Sequence, residues 1–93
     1  VIVSRHYDID REALAATLRR GSPGYVGMIG SRRKVRRVFD QLASEGFAAD
    51  QLASVHAPIG LDLGAESPAE IAVSVIAEIL MVLHGTSGKP LKL

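Results

Sequence analysis

The stretch Tyr25–Arg37, YVGMIGSRRKVRR, constrains this chain most. An apolar run ends in Gly30-Ser31 and passes directly into a helix-like pattern with four arginines and a lysine. The order strand, Gly-Ser, capped helix leaves backbone N–H groups pointing outward at the helix start, a natural seat for anions and for phosphates above all. Two readings of its polar residues stand side by side. In one, Ser31 and the amides of Gly30–Arg32 hold a ligand while Arg32 or Arg33 forks onto its phosphate. In the other, Ser31 only caps the helix, and the i, i+4 pairs Arg32/Arg36 and Arg33/Arg37 form a solvated face.

The rest of the chain alternates in the same way. Val1–Val3 reads as a short buried parallel strand, and Ser4–Ile9 as a loop. Asp10 is a candidate N-cap for a helix with Leu14, Thr17 and Leu18 on one face, stopped by Gly21. Gly21-Ser22-Pro23-Gly24 is a turn. Tyr25–Ile29 is a second strand. In the helix that Ser31 opens, Val35, Val38, Phe39 and Leu42 share a face, and Gly46 stops it. Residues 48–53 form a helical turn, Ser54–Ala57 a third strand, and Pro58–Ser67 a loop. Ser67-Pro68-Ala69-Glu70 combines a capping box with proline at the first helical position. The helix it opens runs to His84, with Gly85 as stop. Its apolar residues, from Ile71 to Leu83, cover more than one stripe, as in a helix deeply buried or shared with a partner.

This alternation predicts an α/β fold: a Rossmann-like parallel sheet with flanking helices, the C-terminal half of a doubly wound arrangement. It occupies residues 1–85, with 86–93 as a tail. A strand that starts at residue 1 is read as part of a longer protein.

Composition narrows the chemistry. Ninety-three residues suit one small domain, 47% of them apolar, with only two Phe and two Tyr. The net charge of +1 gives no global field to recruit nucleic acid or anionic lipid, and aromatics are not interleaved with the basic run. The absence of cysteine removes thiolate metal sites and thiol nucleophiles and is compatible with a cytoplasmic location. Ile71–Leu83 is too short to span a bilayer. Gly27-Met28-Ile29-Gly30 has neither dinucleotide-fingerprint nor Walker A spacing, and no nucleophile elbow occurs. His6, Asp8 and Asp10 match metal ligands only by count.

A second polar segment is HAPIGLDLGAE, His56–Glu66. It sets an imidazole and two carboxylates around a glycine-rich loop. Asp62 either hydrogen-bonds a polar ligand or orders the loop through backbone N–H groups. Glu66 favours the dipole of the following helix, and His56 is read as structural.

The segments GMIGSRRK at Gly27–Lys34 and HAPIGLDLGAESPAEIAVSVIAEI at His56–Ile79, with the opening VIVSRHYDID-REAL, resemble the XdhC family. Its members are xanthine dehydrogenase accessory proteins with CoxI-like relatives. The resemblance covers all but residues 86–93. It implies a Rossmann-type C-terminal domain and a chaperone that binds molybdenum cofactor (molybdopterin), protects it and delivers it to a xanthine dehydrogenase-type molybdenum hydroxylase, without turnover of its own. Carried over by position, it implies that Gly30, Ser31, Arg32 and Arg33 contact the cofactor phosphate, while Gly60, Asp62 and Gly64 line another wall and meet a pterin or ribose. A cysteine motif of the family's N-terminal region, and the first half of the Rossmann domain, are not in this sequence.

Two further readings belong to other classes. One is an NAD(P)- or nucleotide-binding domain of an oxidoreductase, which requires an upstream GxGxxG turn. The other is a structural module, a homodimer in which two copies pair by sheet edges or swapped helices to cover the broad apolar surface of Ile71–Leu83.

Overall fold

The computed structural model describes residues 1–21 and 24–93, so the expected Gly21-Ser22-Pro23-Gly24 turn lies partly outside the described residues. Among the described residues four helices form: α1, Tyr7–Arg19; α2, Arg32–Ser44; α3, Ala49–Ala53; and α4, Pro68–His84. The chain divides into two compact units, Val1–Ile59 and Gly60–Leu93.

The expected α/β fold with a Rossmann-like parallel sheet is overturned. Among the described residues there is no strand, only the isolated parallel bridges Ile2↔Met28 and Gly27↔His56. The three extended runs do lie side by side. Ile2 N donates to Gly27 O (2.8 Å), Ile29 N to Ile2 O (3.0 Å), Met28 N to His56 O (3.0 Å) and His56 N to Val26 O (2.8 Å). Each contact is one bridge long, and a ladder needs successive bridges. The first run turns away at Ser4, and Pro58 has no N–H with which to extend the third. Val1 and Val3 are 65% and 67% exposed, so only Ile2 faces the core, and Val1–Val3 is not a strand buried on both faces. The unit is built on helices.

Its core follows from the helical patterns. Leu14 and Leu18 of α1 meet Val35, Val38 and Leu42 of α2, over Val26 and Met28 of the central run, with Leu52 and Val55 at the end. Leu14, Met28, Val38 and Leu42 are completely buried. Ser31 caps α2 as expected, its Oγ accepting from Lys34 N at 3.2 Å, and the chain leaves the helix through Gly46 at φ +100°. α1 begins earlier than expected. Its N-cap is His6, and Asp10 is not a cap but the fourth helical residue, fully buried. The loop expected at Ser4–Ile9 is therefore half helix: Ser4 Oγ accepts from His6 N (3.0 Å), and the helix starts at Tyr7. Asp10 precedes Leu14 by four and Leu18 by eight, which puts it on their buried face.

In the second unit, α4 matches its expected bounds. Ser67 Oγ accepts from Glu70 N (3.2 Å), Glu70 Oε1 accepts from Ser67 N (3.1 Å) and Glu66 N (3.0 Å), Pro68 opens the helix and left-handed Gly85 closes it. Its burial inverts the usual pattern. The buried residues are Ser74 and Glu78, whereas Val73, Ile76, Leu80 and Leu83 are more than half exposed. Those four follow 3-4-3 spacing, the a/d register of a helix–helix seam. No helix among the described residues is long and apolar enough to cross a membrane.

The Glu70 carboxyl is held below its ordinary value, chiefly by the backbone N–H groups of Ser67 and Glu66 and then by the Ser67 hydroxyl. A carboxyl lowered in the folded state stabilises the fold above its ordinary value, and that contribution disappears as pH falls through the folded-state value. Thermal unfolding followed across the acid range is expected to show this loss in the native chain and not in Glu70→Gln. Ser67→Ala is expected to cost about 1 kcal/mol at neutral pH.

Candidate functional site

The start of α2 is built from three short-range decisions. Gly30 takes φ +152°, which turns the chain out of the central run. Ser31 follows in extended backbone and caps the helix, leaving the amides of Arg32 and Arg33 without an intrahelical acceptor. No acidic residue lies in the first turn to neutralise that end. The donor set is therefore two free amides, the Ser31 hydroxyl and the exposed guanidiniums of Arg32 and Arg33.

Lys34 is the member of the GSRRK run that sequence reasoning left without a role. It turns inward. Its Nζ forms an ion pair with Asp10 Oδ2 and lies 3.4 Å from Ser4 O. Asp10 Oδ2 faces that ammonium, whereas Asp10 Oδ1 has no hydrogen-bond partner among the described residues. A Cβ on Gly30 would stand 2.9 Å from Lys34 Cε, so the bare glycine makes room for the lysine stem. The signal was present: an acid on the buried face of one helix requires a cation nearby.

Arg32 borders a cleft of about 280 Å³ shared with Val35, Phe39 and Asp40 of α2 and with Ala57 and Pro58 of the third run. The structure thus brings the start of the HAPIG segment beside the GSRR turn. His56, just before it, stacks on Tyr25 with ring centroids 4.9 Å apart and planes 8° from parallel, the structural role expected of it.

Gly60, Asp62 and Gly64 belong to the second unit. Gly60 N donates to Glu78 Oε1 (3.0 Å), Leu61 N to Ser74 O (3.2 Å), and a Cβ on Gly60 would fall 2.5 Å from Ser74 Oγ. Gly60 therefore lets its loop close on α4, and the buried polar residues of that helix serve the loop. Leu63 N donates to Leu61 O (2.9 Å), which sets Asp62 at the apex of a tight turn. Asp62 is exposed, and its carboxylate has no partner among the described residues; Gly64 has open space where a Cβ would be. No group of three or more His, Cys, Asp or Glu among the described residues is arranged to hold a metal ion.

Comparison with known proteins bears on these segments. The family model described as XdhC Rossmann domain matches residues 1–79. The uncharacterized protein YqeB of Escherichia coli K12 is 44% identical over 79 residues, 85% of this chain and 14% of that protein. A probable xanthine dehydrogenase subunit of Bacillus subtilis 168 is 32% identical over 80 residues, 86% of this chain and 22% of its own length. Among solved structures, a xanthine dehydrogenase from Bacillus halodurans superposes with a TM-score of 0.69 at 26% identity, over 90% of this chain and 23% of that one. The chain thus spans less than a quarter of each of these relatives.

Removing one member of the buried pair strands the other. Lys34→Met is expected to lower stability by about 3–5 kcal/mol, and Asp10→Leu combined with Lys34→Met to recover most of that loss. Urea unfolding of the two variants and the native chain measures it.

Proposed function

This chain belongs to the XdhC family, and from that membership we propose that it acts as a molybdenum-cofactor-binding accessory segment in the maturation of xanthine dehydrogenase-type molybdenum hydroxylases. The names of the relatives support the link to xanthine dehydrogenase. The observation that carries the cofactor reading is the donor set at the start of α2: a capped helix of 13 residues with no acid in its first turn and two exposed arginines. That set has the chemistry to hold the phosphate end of such a cofactor. The amides of Arg32 and Arg33 and the Ser31 hydroxyl donate to phosphate oxygens, and one guanidinium forks onto them. Lys34, committed to Asp10, supplies no charge there.

The molybdenum cofactor, when bound, would supply the molybdenum centre on whose redox chemistry the client hydroxylase depends. The residues of this chain only hold and shield it, which fits an accessory role in the cytoplasm rather than turnover. Arg32 borders the cleft walled by Phe39 and Pro58, so a group anchored at Ser31 has apolar surface within reach. In the second unit, the exposed Asp62 is the residue we propose to hydrogen-bond a polar ligand.

A specific observation favours a second, compatible reading. The exposed a/d seam of Val73, Ile76, Leu80 and Leu83 suits a helix as its partner, and two copies of α4 satisfy each other in a homodimer.

Isothermal titration of isolated molybdopterin is expected to give affinity about tenfold weaker for each of Ser31→Ala, Arg32→Ala and Arg33→Ala. Unchanged affinity in all three removes the phosphate role. Light scattering is expected to report a dimer that Leu80→Ser returns to monomer; a monomeric native chain at micromolar concentration sinks the dimer.

A further inference from the structure

Against the α1–α2 pair lies an open cleft of about 850 Å³ that meets the phosphate seat only at Arg33. From α2 it is lined by Arg33, Arg36, Arg37 and Asp40, which fall at i, i+3, i+4 and i+7 and so share one face. α1 contributes Asp8 and Arg11. Four guanidiniums thus face two carboxylates in a chain whose net charge is only +1, which concentrates positive field in this cleft.

The cations differ in how they are held. Arg37 lies over the ring of Tyr7, 4.0 Å from its centroid, which fixes the guanidinium at the cleft wall. Arg11 pairs with Glu45 at 3.5 Å. Arg33 and Arg36 are exposed and make no ion pair among the described residues, and neither do Asp8 and Asp40. The cleft therefore presents uncommitted guanidiniums on a helix scaffold, with carboxylates beside them.

We propose that this cleft is a docking groove for an acidic segment of a partner protein. Each free guanidinium offers a fork that matches a side-chain carboxylate, and the helix spacing presents several forks along one line. Asp8 and Asp40 favour a peptide over nucleic acid. They repel a continuous phosphate backbone, whereas a peptide offers them N–H groups and interspersed cations. The ring of Tyr7 is covered by Arg37, so it gives no open face for stacking a base. The groove is open and bordered by exposed side chains, which suits a chain laid across it rather than an enclosed small molecule. It shares Arg33 with the phosphate seat and Arg36 and Asp40 with the cleft beside Pro58, whereas Asp8, Arg11 and Arg37 belong to the groove alone, so Arg37→Glu separates the two readings.

The test is fluorescence anisotropy with the full chain and a labelled octaglutamate peptide at low and physiological salt. Saturable binding that weakens with salt is expected, with octaglutamine inert. Arg36→Glu and Arg37→Glu, each checked for native circular dichroism, are expected to weaken binding about tenfold, and Asp40→Asn to tighten it. Arg20→Glu and Lys92→Glu make the same change in net charge outside the groove and are expected to have little effect. Equal losses from these two would show a response to net charge alone and overturn the proposal. Unchanged affinity in Arg36→Glu and Arg37→Glu would also overturn it. So would an oligothymidylate of equal charge that binds more tightly and loses affinity through the same arginines, because the surface would then be one for nucleic acid.

Discussion

The ion pair between Asp10 and Lys34 is the contact on which the first unit depends. A fully buried carboxylate costs several kcal/mol unless a cation meets it, and Lys34 is that cation. Its stem crosses the bare backbone of Gly30, its amide takes the Ser31 cap, and its Nζ also approaches Ser4 O. One side chain therefore ties together the lead-in to α1, the bend before α2 and the first turn of α2. The apolar residues Leu14, Leu18, Val35, Val38 and Leu42 supply the bulk of the burial, and the ion pair joins the same two helices. An apolar pair in its place would hold the helices together as well, but either partner alone would leave a stranded charge or an unfilled contact.

That pair also sorts the charges of α2. Lys34 goes inward and its arginine neighbours stay outside, for a physical reason. A flexible ammonium reaches a buried carboxylate as a point charge, while the planar guanidinium keeps its several donors for solvent or a ligand. Arg32 then borders the cleft beside Pro58, and Arg33, Arg36 and Arg37 face the cleft against α1. The same run that resembles an XdhC motif thus has an internal structural member and an external set free for recognition.

In the second unit the governing requirement is satisfaction of backbone donors. The N–H groups of Gly60 and Leu61 turn toward α4 and need acceptors, which Glu78 and the Ser74 carbonyl supply. Serving those donors draws the polar face of α4 inward and leaves its 3-4-3 apolar seam outward. The reading of this helix as deeply buried fails for that reason, and the reading of it as shared with a partner keeps its physical basis.

Much of this was legible in the residues alone. The Ser31 cap, the Ser67–Glu70 capping box, the Gly46 and Gly85 stops, the extent of α4 and the structural role of His56 all emerged as read. The start of α1 did not. Asp10 has the chemistry of a cap, and only its spacing from Leu14 and Leu18 hinted that it lies inside the helix. The strands did not either, since three apolar runs carry strand propensity whether or not their neighbours extend a ladder. The amino-acid sequence by itself determined the helices and the ends of α2 and α4, because a cap is a bond between residues three or four apart. Tertiary structure alone decided that the extended runs meet in single bridges, that Asp10 finds Lys34, and which cations remain free. Those outcomes depend on backbone donors and charges brought together from distant parts of the chain, where local spacing carries no information.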